Sequence, residues 1–214
     1  MNQEFTLMIQ AAFAVGIVHT LLGPDHYVPF IALAKSRRWT LAKTIGVTLL
    51  CGLAHIAGAV VLGLGIVGLG LSLQRFGVIE SVRGGVAAWA LMAFGVAYMV
   101  WGARRVFQKR EAEVKIEDRA NSPVFWFMFL IFLFGPCEPL IPLMTHPLCW
   151  SEPARLFIIV GVFGLSTLAA MTVAVTVSVC GLNVLGLGRV ARFSHVLAGG
   201  AIVLCGAAIR FLGL

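Results

Sequence analysis

Charge is scarce in this chain: only 12% of its residues are Asp, Glu, Lys or Arg, and nine acids stand against sixteen bases, for a net charge of +7. A soluble domain carries about twice that charged share. The five cysteines, Cys51, Cys137, Cys149, Cys180 and Cys205, show no CxxC spacing, and four of them lie in apolar runs, which excludes a disulfide framework. No phosphate-binding glycine loop is present, so ATP is not expected as a direct energy source. The opening "MNQEFTLMIQ" lacks the basic start and small-residue cleavage site of a signal peptide, so the first apolar run is expected to stay in the protein. The basic residues fall in clusters between apolar runs and form no stripe that could follow phosphates, so nucleic acid is not an expected partner.

What fills the space is apolar. The hydrophobic share is 60% and the mean hydropathy +0.98, so the chain reads as an integral membrane protein with the lipid bilayer as its first partner. A hydrocarbon core needs about 20 apolar residues per helix. Six segments meet that length: Phe5 to Leu33, Leu41 to Leu73, Val82 to Ala103, Pro123 to Leu143, Leu156 to Leu187 and Phe193 to Leu212. Twelve of the sixteen bases then lie on one side, in "KSRRWTLAK", in the stretch from Arg104 to Arg119 and at Arg189 and Arg192. The positive-inside bias makes that side cytoplasmic and puts both termini outside, in an inner (plasma) membrane. Residues 109–122 are the only hydrophilic linker and divide the chain into 1–108 and 123–214.

The two parts look alike. A shift of 112 positions lays "LLGPDHYVPFIAL" over "LFGPCEPLIPLMT", pairing Gly23 with Gly135, Pro24 with Pro136, Asp25 with Cys137 and His26 with Glu138. The same shift pairs Gly52 with Gly164 and His55 with Thr167. Three spans per copy is an odd number, so the second copy enters the membrane from the opposite side. The expected fold is therefore all-α, with six transmembrane helices in two inverted-topology three-helix repeats, broken at the Gly-Pro pairs. Transporters of that design place their substrate near the midplane, where broken helices free backbone groups.

Asp25 and Glu138 are the acids deep in apolar runs, and each costs roughly 2.5 to 3.5 kcal/mol there unless paired, ligated or hydrated. Around them stand His19 and His26, which would share a face two turns apart if the helix were continuous, His55 at the middle of the next span, and Cys137; the break at Gly23-Pro24 is expected to fold Asp25 back toward the same space. Imidazole, carboxylate and thiolate together suit Ni²⁺, Co²⁺, Zn²⁺ or Cu²⁺ better than Mg²⁺ or Ca²⁺. The expected metal ligands are His19, Asp25, His26, His55, Cys137 and Glu138, with the ion as cargo and no permanently bound cofactor. Protons would compete for the same groups, with binding weakening between about pH 7.5 and 5.5. No general base stands apart from these ligands, so the chain is not expected to be an enzyme. His146 reads as an interfacial loop residue, His195 as a helix-packing residue, and the many glycines as sites of close helix approach. Self-association is left open.

The segment "HTLLGPDH" resembles the His and Asp-His signature of nickel and cobalt transporters, with five residues between His19 and Asp25 where the nickel importers have four. The resemblance implies that His19, Asp25 and His26 select a metal. The longer pattern "GPDHYVPFIALAKSRRWTLAKT", "LLCGLAH" and "FGPCEPLIPL" is similar to six-helix proteins called sulfite exporter-like or cytochrome-c-biogenesis transmembrane-like, which implies export of a small sulfur anion as an alternative. "GPCEPLIPL" also resembles transmembrane thiol-disulfide transporters, which implies electron transfer through a cysteine pair. The repeat places Asp25 opposite Cys137, so such a pair would need Cys51 or Cys180 instead. Anion export would want basic residues near the Gly-Pro motifs, and the apolar runs are expected to hold none there.

Overall fold

The structure is a computed structural model and describes residues 3–69, 73–107, 123–135, 137, 139–184 and 193–212. The hydrophilic linker, Pro136 and Glu138 lie outside the described residues. All described secondary structure is helical: α1 (Gln3–Leu22), a 3-10 turn (Pro24–His26), α2 (Val28–Ser36), α3 (Leu41–Gly68), α4 (Leu73–Phe107), α5 (Pro123–Phe134), α6 (Leu140–Thr145), α7 (Pro147–Ser151), α8 (Pro153–Val184) and α9 (Ser194–Leu212). Five helices are long and apolar enough to cross a membrane: Gln3–Leu22, Leu41–Gly68, Gly77–Val106, Pro153–Asn183 and Ser194–Leu212. They fit a multi-pass membrane protein.

The first and fourth expected spans differ from their sequence outlines, and proline is the reason. Pro24 has no N–H to give to the carbonyl of Thr20, so α1 stops at Leu22 and the run to Leu33 divides into α1, the 3-10 turn and α2. In the fourth span, α5 ends at Phe134 after 12 residues, and α6 starts only at Leu140. The third span is longer than expected: α4 continues through Arg104 and Arg105 to Phe107, because nothing in "GARRVF" breaks a helix. Short local devices set the other ends. Thr40 accepts from the Lys43 N–H to start α3, Pro147 and Pro153 occupy first-turn positions of α7 and α8, and the His146 ring accepts from the Leu148 N–H. His146 is thus a helix cap.

Polarity is arranged inside out. Thr20, His26, Ser36, Thr44, Thr48, His55, Ser166 and Thr167 are buried, while Leu53, Val61, Phe157, Leu165, Val173 and Val177 are exposed. Most of the buried hydroxyls return to their own helices, as Thr20 Oγ1 does to Gly16 O at 2.7 Å and Thr48 Oγ1 to Thr44 O at 2.9 Å, while Thr167 Oγ1 reaches from α8 to Gly16 O of α1 at 3.5 Å. With lipid outside, burial of apolar surface drives little, and close backbone approach takes over. α4 runs along α9 on Gly95 and Gly199: a Cβ on Gly199 would sit 2.6 Å from Met99 N, and one on Gly95 2.8 Å from Gly199 O. Elsewhere α1 packs on α8, α3 on α8, and α5 and α6 on α3. His195 accepts or donates at 3.0 Å to Tyr98 Oη, which also meets Ser36 Oγ at 3.0 Å. It joins α9 to α4 and α2, a packing role.

Candidate functional site

The site begins with the failure of α1 to continue. In an unbroken helix, residues seven apart lie about 10 Å apart along the axis. Gly23 is extended (φ −86°, ψ 100°) and the chain then folds through the 3-10 turn, which returns His26 to His19 with ring centroids 4.7 Å apart and edge to face. Gly23 is needed for this: a Cβ there would lie 2.6 Å from His26 Nδ1 and 2.8 Å from Asp25 Oδ1. His55, from α3, meets His26 with centroids 5.2 Å apart.

In His26 and His55 one ring nitrogen is engaged by the fold and one is left over. His26 Nδ1 lies 3.1 Å from Asp25 Oδ1 and 3.1 Å from Gly23 O, both acceptors, so this nitrogen carries the proton. His55 Nδ1 lies 3.2 Å from Phe132 O and donates to it. That carbonyl has no α-helical donor, because the residue four positions on is Pro136; it accepts from the Gly135 N–H at 3.2 Å and has a lone pair left for the imidazole. The Nε2 atoms of His19, His26 and His55 are buried and have no hydrogen-bond partner. One ring nitrogen from each of the three falls within 4.8 Å of the others. A single ion at about 2.0 to 2.1 Å from each nitrogen would draw them to roughly 3.3 Å, a contraction of up to about 1.5 Å. Three buried imidazole nitrogens with no hydrogen-bond partner are costly as they stand, and imidazoles grouped this closely suit a borderline cation of the transition series.

No family model, no curated protein and no solved structure matches this chain. Its chemistry therefore rests on its own residues.

Of the residues expected at the site, the structure brings together His19, His26 and His55. Asp25 sits beside them, its carboxylate on His26 Nδ1 and not within the ring-nitrogen group. Asp25 and His55 also line a cavity of about 20 Å³, with Ala88, Leu91, Phe132 and Gly135, enough for about one water. Cys137 is fully buried in an apolar cluster with Ala59, Leu140, Met144 and Phe163 and is not in the ring-nitrogen group. Glu138 and Pro136 lie outside the described residues.

One expectation is corrected. A basic residue does reach a Gly-Pro motif: the Arg83 guanidinium, from α4, donates to Gly135 O. The cause is written four residues further on. Gly135 O would look to the N–H of residue 139, which is proline, just as Phe132 O would look to Pro136. "GPCEP" thus removes the α-helical donors of two carbonyls three residues apart; a guanidinium serves Gly135 O, and an imidazole joins the Gly135 N–H on Phe132 O. Arg83→Met is expected to destabilise the protein by about 1 to 3 kcal/mol, the usual cost of an orphaned buried acceptor, and Arg83→Lys by less. Thermal unfolding in detergent checks this; equal Tm values for the methionine variant and the parent would refute it.

Proposed function

We propose that the chain is a membrane transporter of a divalent transition-metal ion of the nickel, cobalt, zinc or copper type, which binds between His19, His26 and His55. The observation that carries this reading is that one ring nitrogen from each of three histidines lies within 4.8 Å of the others, in rings whose Nε2 atoms are buried and unpartnered. Asp25 supplies negative charge and holds the proton of His26 on Nδ1, the outer-shell role carboxylates play at histidine metal sites. Cys137 and Glu138 are candidates to join the ion in a second state of the site. The site is three-coordinate from these rings, which leaves positions open for exchange, as transport requires.

The architecture supports transport through six spans in two inverted repeats, counting α1 to α2 as the first and α5 to α6 as the fourth. α1 packs on α8 as its repeat mate, α5 with α6, packs on α3, while α3 with α8 and α4 with α9 pair across the centre. Exchange of the two halves turns the first two of these contacts into each other and the last two into themselves. Both broken segments carry Gly-Pro at matching positions. The clustering of bases supports termini on the outside and the linker in the cytoplasm.

Arg83 is the one observation that favours export of a small sulfur anion, since it sets a cation beside the second break. Against a thiol electron carrier, Cys51 and Cys137 belong to separate apolar clusters. The deciding experiment equilibrates the purified protein with Ni²⁺, Co²⁺, Zn²⁺ and Cu²⁺ in turn and measures the metal retained after gel filtration, beside a His26→Ala variant. One equivalent in the parent and none in the variant is the expected result. No retained metal in the parent sinks the reading.

A further inference from the structure

Away from the histidines, α2, α8 and α9 enclose a second cavity of about 850 Å³, within the size range of small-molecule sites. Its walls are apolar, with Val28, Ile31, Val179, Leu182, Leu197 and Ala201 among them. Its polar side chains gather at the end of α2, where Lys35, Arg38 and Trp39 meet Asn183 of α8. None of its described lining residues is acidic.

Two features show that this end is built and not left over. Lys35 Nζ donates to Asn183 Oδ1, which ties α2 to α8; an ammonium has three donors, so capacity remains for an anion. Arg38 stands in the left-handed region with φ 52°, where the described residues hold no other non-glycine. It occupies the position that ends a helix by backbone closure, with Trp39 N–H on Ala34 O at 2.9 Å and Arg38 N–H on Lys35 O at 3.4 Å. Glycine takes that position without penalty and is the usual residue there. An arginine held in it signals a use for the side chain.

The chemistry of the cavity selects its occupant. Two cations and no acid repel a metal ion. A small free anion would satisfy Lys35 and Arg38 and leave the apolar slot empty. An amphiphile with one anionic head fills both. Trp39, with Lys43 Nζ 5.7 Å from its ring centre, marks the depth of lipid headgroups, and the exposed Leu41 and Leu197 place the opening on the lipid-facing surface. We propose that this cavity binds an anionic phospholipid, its phosphate at Lys35 and Arg38 and an acyl chain between α2, α8 and α9. The site requires only that the chain lies in a bilayer and stands apart from the metal reading.

The test reconstitutes the full chain in vesicles of phosphatidylglycerol and phosphatidylcholine in equal parts and measures, by native mass spectrometry after extraction, which lipid is retained. The parent is expected to keep one phosphatidylglycerol in preference to phosphatidylcholine. Lys35→Gln and Arg38→Gly should each lower that preference about fivefold, the effect of about one charge near an anionic headgroup. Arg38→Gly relaxes the backbone, so its fold is not at risk, and its helical circular dichroism should equal that of the parent. Equal retention of both lipids by the parent overturns the proposal, as does a preference unchanged in both variants. Binding of inorganic phosphate to the delipidated protein that depends on Lys35 and Arg38, without phosphatidylglycerol preference, would assign the cavity to a free anion and also overturn it.

Discussion

His55→Ala is expected to weaken metal binding about a hundredfold and to lower stability at the same time. The two losses have different sources. Nitrogen and sulfur sites of four ligands bind at roughly 10 to 16 kcal/mol in all, so one ligand is worth about 3 kcal/mol, or two orders of magnitude. The same truncation removes one of two donors to Phe132 O, the imidazole at 3.2 Å, and leaves that carbonyl with the Gly135 N–H alone, also at 3.2 Å. A lost hydrogen bond of this kind costs about 0.5 to 1.5 kcal/mol. His55→Gln separates them: an amide N–H can serve Phe132 O, so Tm should recover toward the parent value while metal affinity stays low. Calorimetric titration with Zn²⁺ and thermal unfolding of the three proteins make the comparison. If the glutamine variant recovers affinity together with Tm, His55 is a structural residue and the three-imidazole site is wrong.

Asp25→Asn is expected to weaken metal binding about 10 to 100-fold, the usual effect of losing an outer-shell carboxylate. Asparagine keeps the shape, and its amide oxygen can still accept from His26 Nδ1, 3.1 Å away. What it loses is charge. A neutral partner leaves His26 Nε2 a poorer donor to the ion and leaves the positive complex uncompensated beside a cavity of about 20 Å³. Asp25→Glu keeps the charge but not the reach, because the carboxylate is held one residue from His26 and against Gly23, where a Cβ would already approach it to 2.8 Å. Both variants should therefore bind weakly, with the asparagine form still retaining the fold by circular dichroism. Parent-like Zn²⁺ affinity in Asp25→Asn would remove the carboxylate from the mechanism.

The histidines themselves were visible in the sequence, because imidazoles in apolar runs beside a helix break have few uses. Their separation was not. By spacing, His19 and His26 would share a helix face two turns apart were the helix continuous, and the expected break at Gly23-Pro24 set no distance between them; the 3-10 turn brings the rings to 4.7 Å. Asp25 read as a ligand and lies one step out, on His26 Nδ1, since a residue adjacent to a ligand on so tight a turn contacts that ligand first. Arg83 escaped notice for a different reason. Its position one helix away carries no local mark, yet "GPCEP" did carry one: two prolines three apart leave the carbonyls of Phe132 and Gly135 in need of donors.

By itself the sequence determined that this chain is helical and membrane-bound, and where its helices must break, because hydropathy and the missing N–H of proline are properties of the residue alone. It also determined which backbone carbonyls would lose their α-helical donor. Which side chains would answer them was decided only in the tertiary structure. His55 lies 77 residues from Phe132 and Arg83 lies 52 from Gly135, and they arrive because glycine contacts let the backbones close: Gly58 against Leu133 O sets α3 on α5, and Gly95 with Gly199 sets α4 along α9. In a bilayer, where apolar side chains gain little by leaving lipid, such close approaches choose the helix partners, and the partners make the site.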